Sequence, residues 1–452
     1  MRIEDFRTAS ISLTPLSARS CDQASKSLYP SRLPRRCHLD RLRTVPTPLR
    51  SSLARSVSIA ACTLLVITLG CRRNSFPDVP VGYREFAYVS NGGSNTVTVL
   101  DLVYLRQDRT LQVGTRPSYL AANPVRDEIY VVNSESGTIS LIDTESNRIV
   151  TTIPVHRQPS FIAIDPTGHR AYVTNSGANT VSVLDLDRRR EIAVAGTGEQ
   201  PGVVRISPDG RSLVVSNRSS GSVSIFNVSP YDARAKTDPS PRLRAAFPGC
   251  PGASDIAILP DSSKAFVACA AGHQVMAVGL AAAPDSWQAK QNPTLTKDRL
   301  LSLLDVGKTP VHLAMKPDGG EIFVSNFDSD SVSEIATPTN EVGGTYIIGN
   351  KPVRGIVGRD NSTLWVANFG ADAIALYSID DGHLLPRGVH TGSAPVALAF
   401  SEDEHLLLAA DAHSGDVAVI RTEGKEGPAL FTILPAGNSP NAIAIKAIQK
   451  KH

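Results

Sequence analysis

One hexapeptide recurs along the chain at a nearly constant interval, and this limits the fold more than any other feature. Aligned on their last residue, the copies read FAYVSN (Asn91), EIYVVN (Asn133), RAYVTN (Asn175) and SLVVSN (Asn217). KAFVAC (Cys269), EIFVSN (Asn326), TLWVAN (Asn368) and LLLAAD (Asp411) follow. The intervals are 42, 42, 42, 52, 57, 42 and 43 residues. A fixed period of this size belongs to structural arrays in which each unit buries its apolar face only against its neighbours.

Within a unit, four short apolar runs alternate with polar breaks. The third unit reads SFIAIDP (160–166), RAYVTN (170–175), NTVSVLDL (179–186) and REIAVAG (190–196). β-Branched residues, alternation, and Gly, Asn, Asp or Pro at each break specify strands. Pro166-Thr167-Gly168, Pro208-Asp209-Gly210 and Pro317-Asp318-Gly319 supply turns between the first two strands. Four antiparallel strands per ~40–45 residues predict a β-propeller blade. The first unit lacks its leading strand, while PNAIAIKAI (440–448) ends the chain as that strand with nothing after it. The expectation is an all-β propeller over 84–448 with eight blades, seven being the alternative, closed by the C-terminal strand completing the first blade and covering an exposed edge.

YVSN, YVVN and YVTN, each followed by a strand of the N-T-V-x-V-L-D type, resemble the YVTN family of β-propeller repeat proteins, over roughly 84–448, nearly all of the mature chain. That resemblance implies an extracytoplasmic propeller, commonly a binding or surface-associated protein.

The first seventy residues have a different character. Residues 1–50 are rich in Arg, Ser and Pro without periodicity, and could precede the true translation start. A basic flank at Arg50 and Arg55 then leads into the apolar run SIAACTLLVITLG. This is the layout of a secretory signal, and the run is shorter than the ~20 residues of a membrane span. Its end, Thr68-Leu69-Gly70-Cys71, resembles a bacterial lipoprotein signal and implies acylation of Cys71, although Thr68 stands where Leu is usual. The expected organisation is a leader (1–70), a linker (71–83) and the propeller. The expected location is the periplasm or the outer-membrane or cell surface of a bacterium, with a lipid anchor at the membrane.

Residues 1–70 carry 11 Lys and Arg against 4 Asp and Glu, leaving 35 basic and 39 acidic residues in the remainder, a net charge of −4. The basic balance of the whole chain therefore comes from the leader. The mature part lacks the broad positive field of non-specific nucleic-acid binding. Of six cysteines, only Cys250 and Cys269 follow Cys71, and their positions at one end of blade 5 predict a disulfide.

Six identical active sites are implausible, so the repeated Asn91, Asn133, Asn175, Asn217, Asn326 and Asn368 read as scaffold: an Asn at a strand end satisfies local polar groups. Function is expected where blades depart from the pattern. The connection into each innermost strand is a G-x-x-P motif, replaced by HRQP (156–159) in blade 3, and its variable positions include Arg116, Arg157, Lys308 and Lys351 against one acid, Glu199. Such a locally positive mouth would attract an anion. Two residues past each Pro stand Tyr119, Phe161, Val203, Asp255, His312, Arg354, Ala397 and Ala442. Asp255, His312 and Arg354 fall in consecutive blades and are the best candidates for a polar ligand or acid–base chemistry, with a closed salt-bridge network as the structural alternative. Long segments at 229–249 and 281–300, the latter with Trp287, are candidate recognition loops.

C-x-x-C-H, G-x-S-x-G, H-E-x-x-H and P-loop motifs are absent, so no cofactor, metal or catalytic residue is assigned. The sequence therefore points to a non-catalytic, monomeric binding scaffold for an envelope protein, a glycan or a small anionic ligand. A propeller enzyme of the lactonase or dehydrogenase type, with its site at the channel, is the alternative.

Overall fold

The computed structural model describes residues 79–449 apart from 230, 232–237 and 425–426. The leader, the signal and Cys71 lie outside the described residues. Eight antiparallel blades follow one another, each built from sequence-adjacent strands except the first. There, Tyr83–Asn91, Thr96–Asp101 and Arg106–Gln112 are completed by Pro440–Gln449. The C-terminal strand pairs with Tyr83–Asn91 from Tyr83↔Gln449 to Asn91↔Pro440, the predicted clasp.

The YVTN strands are apolar throughout because each blade is covered on both faces. Ala171, Tyr172 and Val173 are buried, and core clusters draw side chains from adjacent blades, as where Tyr172 and Val183 pack with Val204 and Val215. Outermost strands such as Glu341–Ile347 alternate between exposed and half-buried positions, since one side faces water. Part of 229–249 is such a strand, Arg242–Pro248, rather than loop; its alternation fits the edge of blade 4. In blade 7 the outer strand is broken into His383–Leu384 and Val389–His390, both pairing with Ala373–Ser378.

The repeated Asn has a local explanation. Its Nδ2 donates to hydroxyls five and seven residues on, as Asn175 does to Thr180 (3.2 Å) and Ser182 (2.8 Å). Asn91, Asn133, Asn217 and Asn326 repeat the pair. Asn368 faces Ala373 and Ala375 and donates instead to the Ile348 carbonyl. The same amide lies against the glycine of G-x-x-P: a Cβ on Gly114 would stand 2.7 Å from Asn133 Cγ, and one on Gly307 2.6 Å from Asn326 Cγ. The two motifs are therefore one device. The residue four past the Asn position has positive φ in every blade (Asn95, Gly137, Asn179, Gly221, His273, Asp330, Asp372, Gly415), the turn into the third strand.

In blade 5 cysteines occupy both positions of this device, Cys250 for the glycine and Cys269 for the Asn, and they form a disulfide.

Candidate functional site at the central channel

The innermost strands, among them Pro117–Ala122, Pro159–Ile164, Pro201–Ile206, Ala253–Ile258, Pro310–Met315 and Pro352–Val357, surround the axis. In most of them the pairing slips between the Pro position and the second residue beyond it, as at Ala253/Asp255, Pro310/His312 and Pro352/Arg354. Such an irregularity re-aims the side chain that follows it.

It brings Asp255 and His312 together. His312 Nδ1 lies 2.6 Å from Asp255 Oδ2, which also accepts from the Leu313 N–H at 3.1 Å. Asp255 Oδ1 accepts from the Ile256 N–H at 2.9 Å and faces the Arg205 guanidinium at 3.8 Å. His312 Nε2 stands 3.0 Å from the Gly355 carbonyl oxygen. Both side chains are buried, whereas Arg205 keeps about a third of its surface open. Arg354 acts on the pair electrostatically and makes no hydrogen bond or ion pair to a described residue.

Burial would push the Asp255 carboxyl up, but the His312 ring, then Arg205 and Arg354, hold it well below the usual carboxylate range. Burial, followed by the Arg354 charge, presses the His312 pKa below its ordinary value against the pull of Asp255. A neutral ring that donates from Nδ1 to Asp255 turns its Nε2 lone pair toward the Gly355 carbonyl, another acceptor. The Gly355 carbonyl therefore favours a proton on Nε2, against the burial and the Arg354 charge that press the pKa down.

Arg205 is the residue that reading the repeat misses. It stands four residues past Pro201, where other blades carry Ala121, Ala163, Ala257, Ala314, Ile356, Ala399 and Ala444. A guanidinium in a column of alanines is a visible signal two residues beyond the column that draws attention. Its Nε donates to the Ile256 carbonyl at 3.4 Å, and its Cζ lies 4.9 Å from the Phe161 ring centre. Phe161 in turn stacks on Tyr119 at 3.8 Å. Tyr119, Phe161, Arg205, Asp255, His312 and Arg354 thus form an arc across blades 2 to 7, and Ala397 and Ala442 leave the remaining wall small.

The cations of the G-x-x-P loops are dispersed around the rim. Arg116 pairs with Glu135 at 3.1 Å, Lys351 lies over the Phe327 ring at 5.2 Å, and the Lys308 N–H donates to Ser329. Arg157 lines a cleft of about 420 Å³ with Glu135, His156 and Gln158, away from the arc. Trp287 is 72% exposed at the start of a short helix, Trp287–Gln291. Among the described residues no group of three His, Cys, Asp or Glu is arranged to hold a metal.

Comparison with known proteins bears on what this arc does. Residues 161–248 and 356–438 match the family described as lactonase, 7-bladed β-propeller. The matched spans include Phe161 and Arg205 but not Asp255, His312 or Arg354, and this chain has eight blades. No curated protein matches. Among solved structures, the periplasmic gluconolactonase PpgL of Pseudomonas aeruginosa is 18% identical, with a TM-score of 0.55 over 80% of this chain and 98% of that one. Dihydro-heme d1 dehydrogenase NirN is 16% identical, with a TM-score of 0.63 over 82% of this chain and 76% of that one. At such identities the structural likeness concerns the fold.

The family match corrects the expectation of a non-catalytic scaffold. The repeat pattern dominates the sequence and carries no chemistry, so it favours a binding role. The matched family is one of enzymes, and the wall of the channel holds an aspartate–histidine pair with an arginine in the blade on either side.

Proposed function

We propose that the protein is a hydrolase that opens a small lactone in its central channel. The observation that carries this reading is the Asp255–His312 pair with Arg205 and Arg354 on either side, in a chain that matches the lactonase family over two of its spans. Arg354, free of hydrogen bonds to described residues, polarises the lactone carbonyl and receives the charge that develops on its oxygen. His312, its ring swung off the Gly355 carbonyl, accepts the proton of the attacking water at Nε2, and the imidazolium is held by Asp255. The acyl C–O bond of the ring then breaks, the ring oxygen takes the proton back, and a hydroxy acid leaves. Arg205 keeps Asp255 ionised and oriented.

An exported, lipid-anchored location belongs to the same reading. It is supported by the signal-like leader ending at Cys71, by the disulfide, and by the periplasmic gluconolactonase among the similar structures.

The test is turnover of a panel of γ- and δ-lactones by the protein and by Arg354→Met. The reading expects hydrolysis above the buffer rate and a loss of about 10²–10³ in kcat for the variant. No turnover of any lactone, or a variant as active as the parent, would overturn it.

A further inference from the structure

The mouth of the channel carries a second feature that lactone opening does not use. The residue directly after the repeated Asn lies on the mouth face and is small in most blades: Gly92, Ser134, Ser176, Ala270 and Ala412, with Arg218 in blade 4. In blades 6 and 7 it is Phe327 and Phe369. Their rings are 6.2 Å apart at 51°, and Phe369 meets His413 of blade 8 edge to face at 5.3 Å. Lys351 brings its ammonium over the Phe327 ring at 5.2 Å. Both phenylalanines are half-buried, and His413 and Lys351 are exposed.

Strand register fixes where this shelf stands. His312 pairs with Ser325, two residues before Phe327, and Arg354 with Ala367, two residues before Phe369. Two residues of strand span about 6.6 Å. The shelf therefore rises one aromatic ring's length above His312 and Arg354, on the same two blades, with cations at both levels. The next blades round the ring, 8 and 1, present the small residues Ala412, Gly92, Ala397 and Ala442 beside it.

We propose that the shelf binds an aryl or similarly planar apolar substituent of a ligand whose anionic or lactone head reaches Arg354 and Arg205. Two phenylalanines, with no polar handle, suit an apolar body better than a polyhydroxylated one. The cations suit the polar carbonyl of a lactone and, more strongly, the carboxylate that its opening leaves. This rests on the channel arc being the ligand site, and it names the class of molecule that fits it.

The test is calorimetric titration of the protein with 3-phenylpropionate and with propionate. The parent should bind the aryl acid at least tenfold more tightly. Phe327→Ser with Phe369→Ser installs the residue that blades 2 and 3 carry at this position, which favours folding, and should reduce the ratio below about twofold. Phe327→Tyr with Phe369→Tyr keeps the rings and should keep the preference. Equal binding of the two acids, binding of neither, or a preference that survives the serine variant overturns the inference. Aryl preference without turnover of any lactone would leave the inference standing and remove the hydrolase reading. Turnover with no aryl preference would do the reverse.

Discussion

Asp411 shows what one substitution in the repeat does. It occupies the Asn position of blade 8 and is fully buried, and its Oδ2 accepts from the Gly392 N–H at 3.0 Å. Where most blades place a hydroxyl five residues on, blade 8 has Asp416, and Asp411 Oδ1 has no hydrogen-bond partner. Burial first, and the Asp416 carboxylate as well, push the Asp411 pKa up to about 7. The folded pKa lies above the unfolded one, so the contribution to stability is complete below pH ~4 and is lost as pH rises toward 7. Asp411→Asn restores a donor toward Asp416. It should raise stability at pH 8 by on the order of 2–4 kcal/mol and change little at pH 4. Urea unfolding at the two pH values measures this, and an equal effect at both would contradict it. At the same scale, His312 has its pKa pressed below the ordinary histidine value, so kcat/KM should be flat through neutral pH and fall only on the acid side of about 6.5. A fall beginning above pH 7 would speak against His312 as the proton acceptor. The sequence allows Asp255, His312 and Arg354 to be selected, because each breaks a column of the repeat. It does not show that Arg205 joins them, since that depends on how far its side chain reaches from blade 4 toward Asp255 in blade 5.

Among the elements, blade 5 departs most from its neighbours. The others hold the entry to the innermost strand by seating an Asn amide, or in blade 8 an Asp, on the loop before that strand, a glycine everywhere but in blade 3. Blade 5 replaces the pair with the Cys250–Cys269 disulfide, and accordingly has Gln274 and Met276 where the hydroxyls would be. Cys250→Ala with Cys269→Ser should cost about 3 kcal/mol, the loss for a loop of this length. Cys250→Gly and Cys269→Asn, combined with Gln274→Thr and Met276→Ser, should recover part of that loss without a covalent bond. Thermal melting with and without reductant compares them; no recovery would mean that the disulfide is not standing in for the amide device. This pairing was legible from the two cysteines alone. The extent of the outer strands was less so: Arg242–Pro248 lies in a Pro- and charge-rich stretch whose alternation is easily read as loop.

For the whole molecule, period and chain ends determine the ring. Eight YVTN-type strands give eight blades, and the missing first strand reappears at the C-terminus, paired along Tyr83–Asn91. Deleting residues from Pro440 onward should uncover that edge and give an oligomeric or poorly soluble product in size-exclusion chromatography. A monomer with an unchanged melting temperature would contradict the clasp. Function was harder to read than fold because the repeated residues are structural, and the chemistry lies where side chains from different blades meet at the axis. Asp255 and His312 are 57 residues apart and meet only when blades 5 and 6 pack side by side. The most direct test of the central claim is kcat/KM of His312→Gln against the parent, on the lactone that the parent opens fastest. A loss of about 10²–10⁴-fold with unchanged melting is the predicted result; a variant that opens the lactone as fast as the parent would contradict the account.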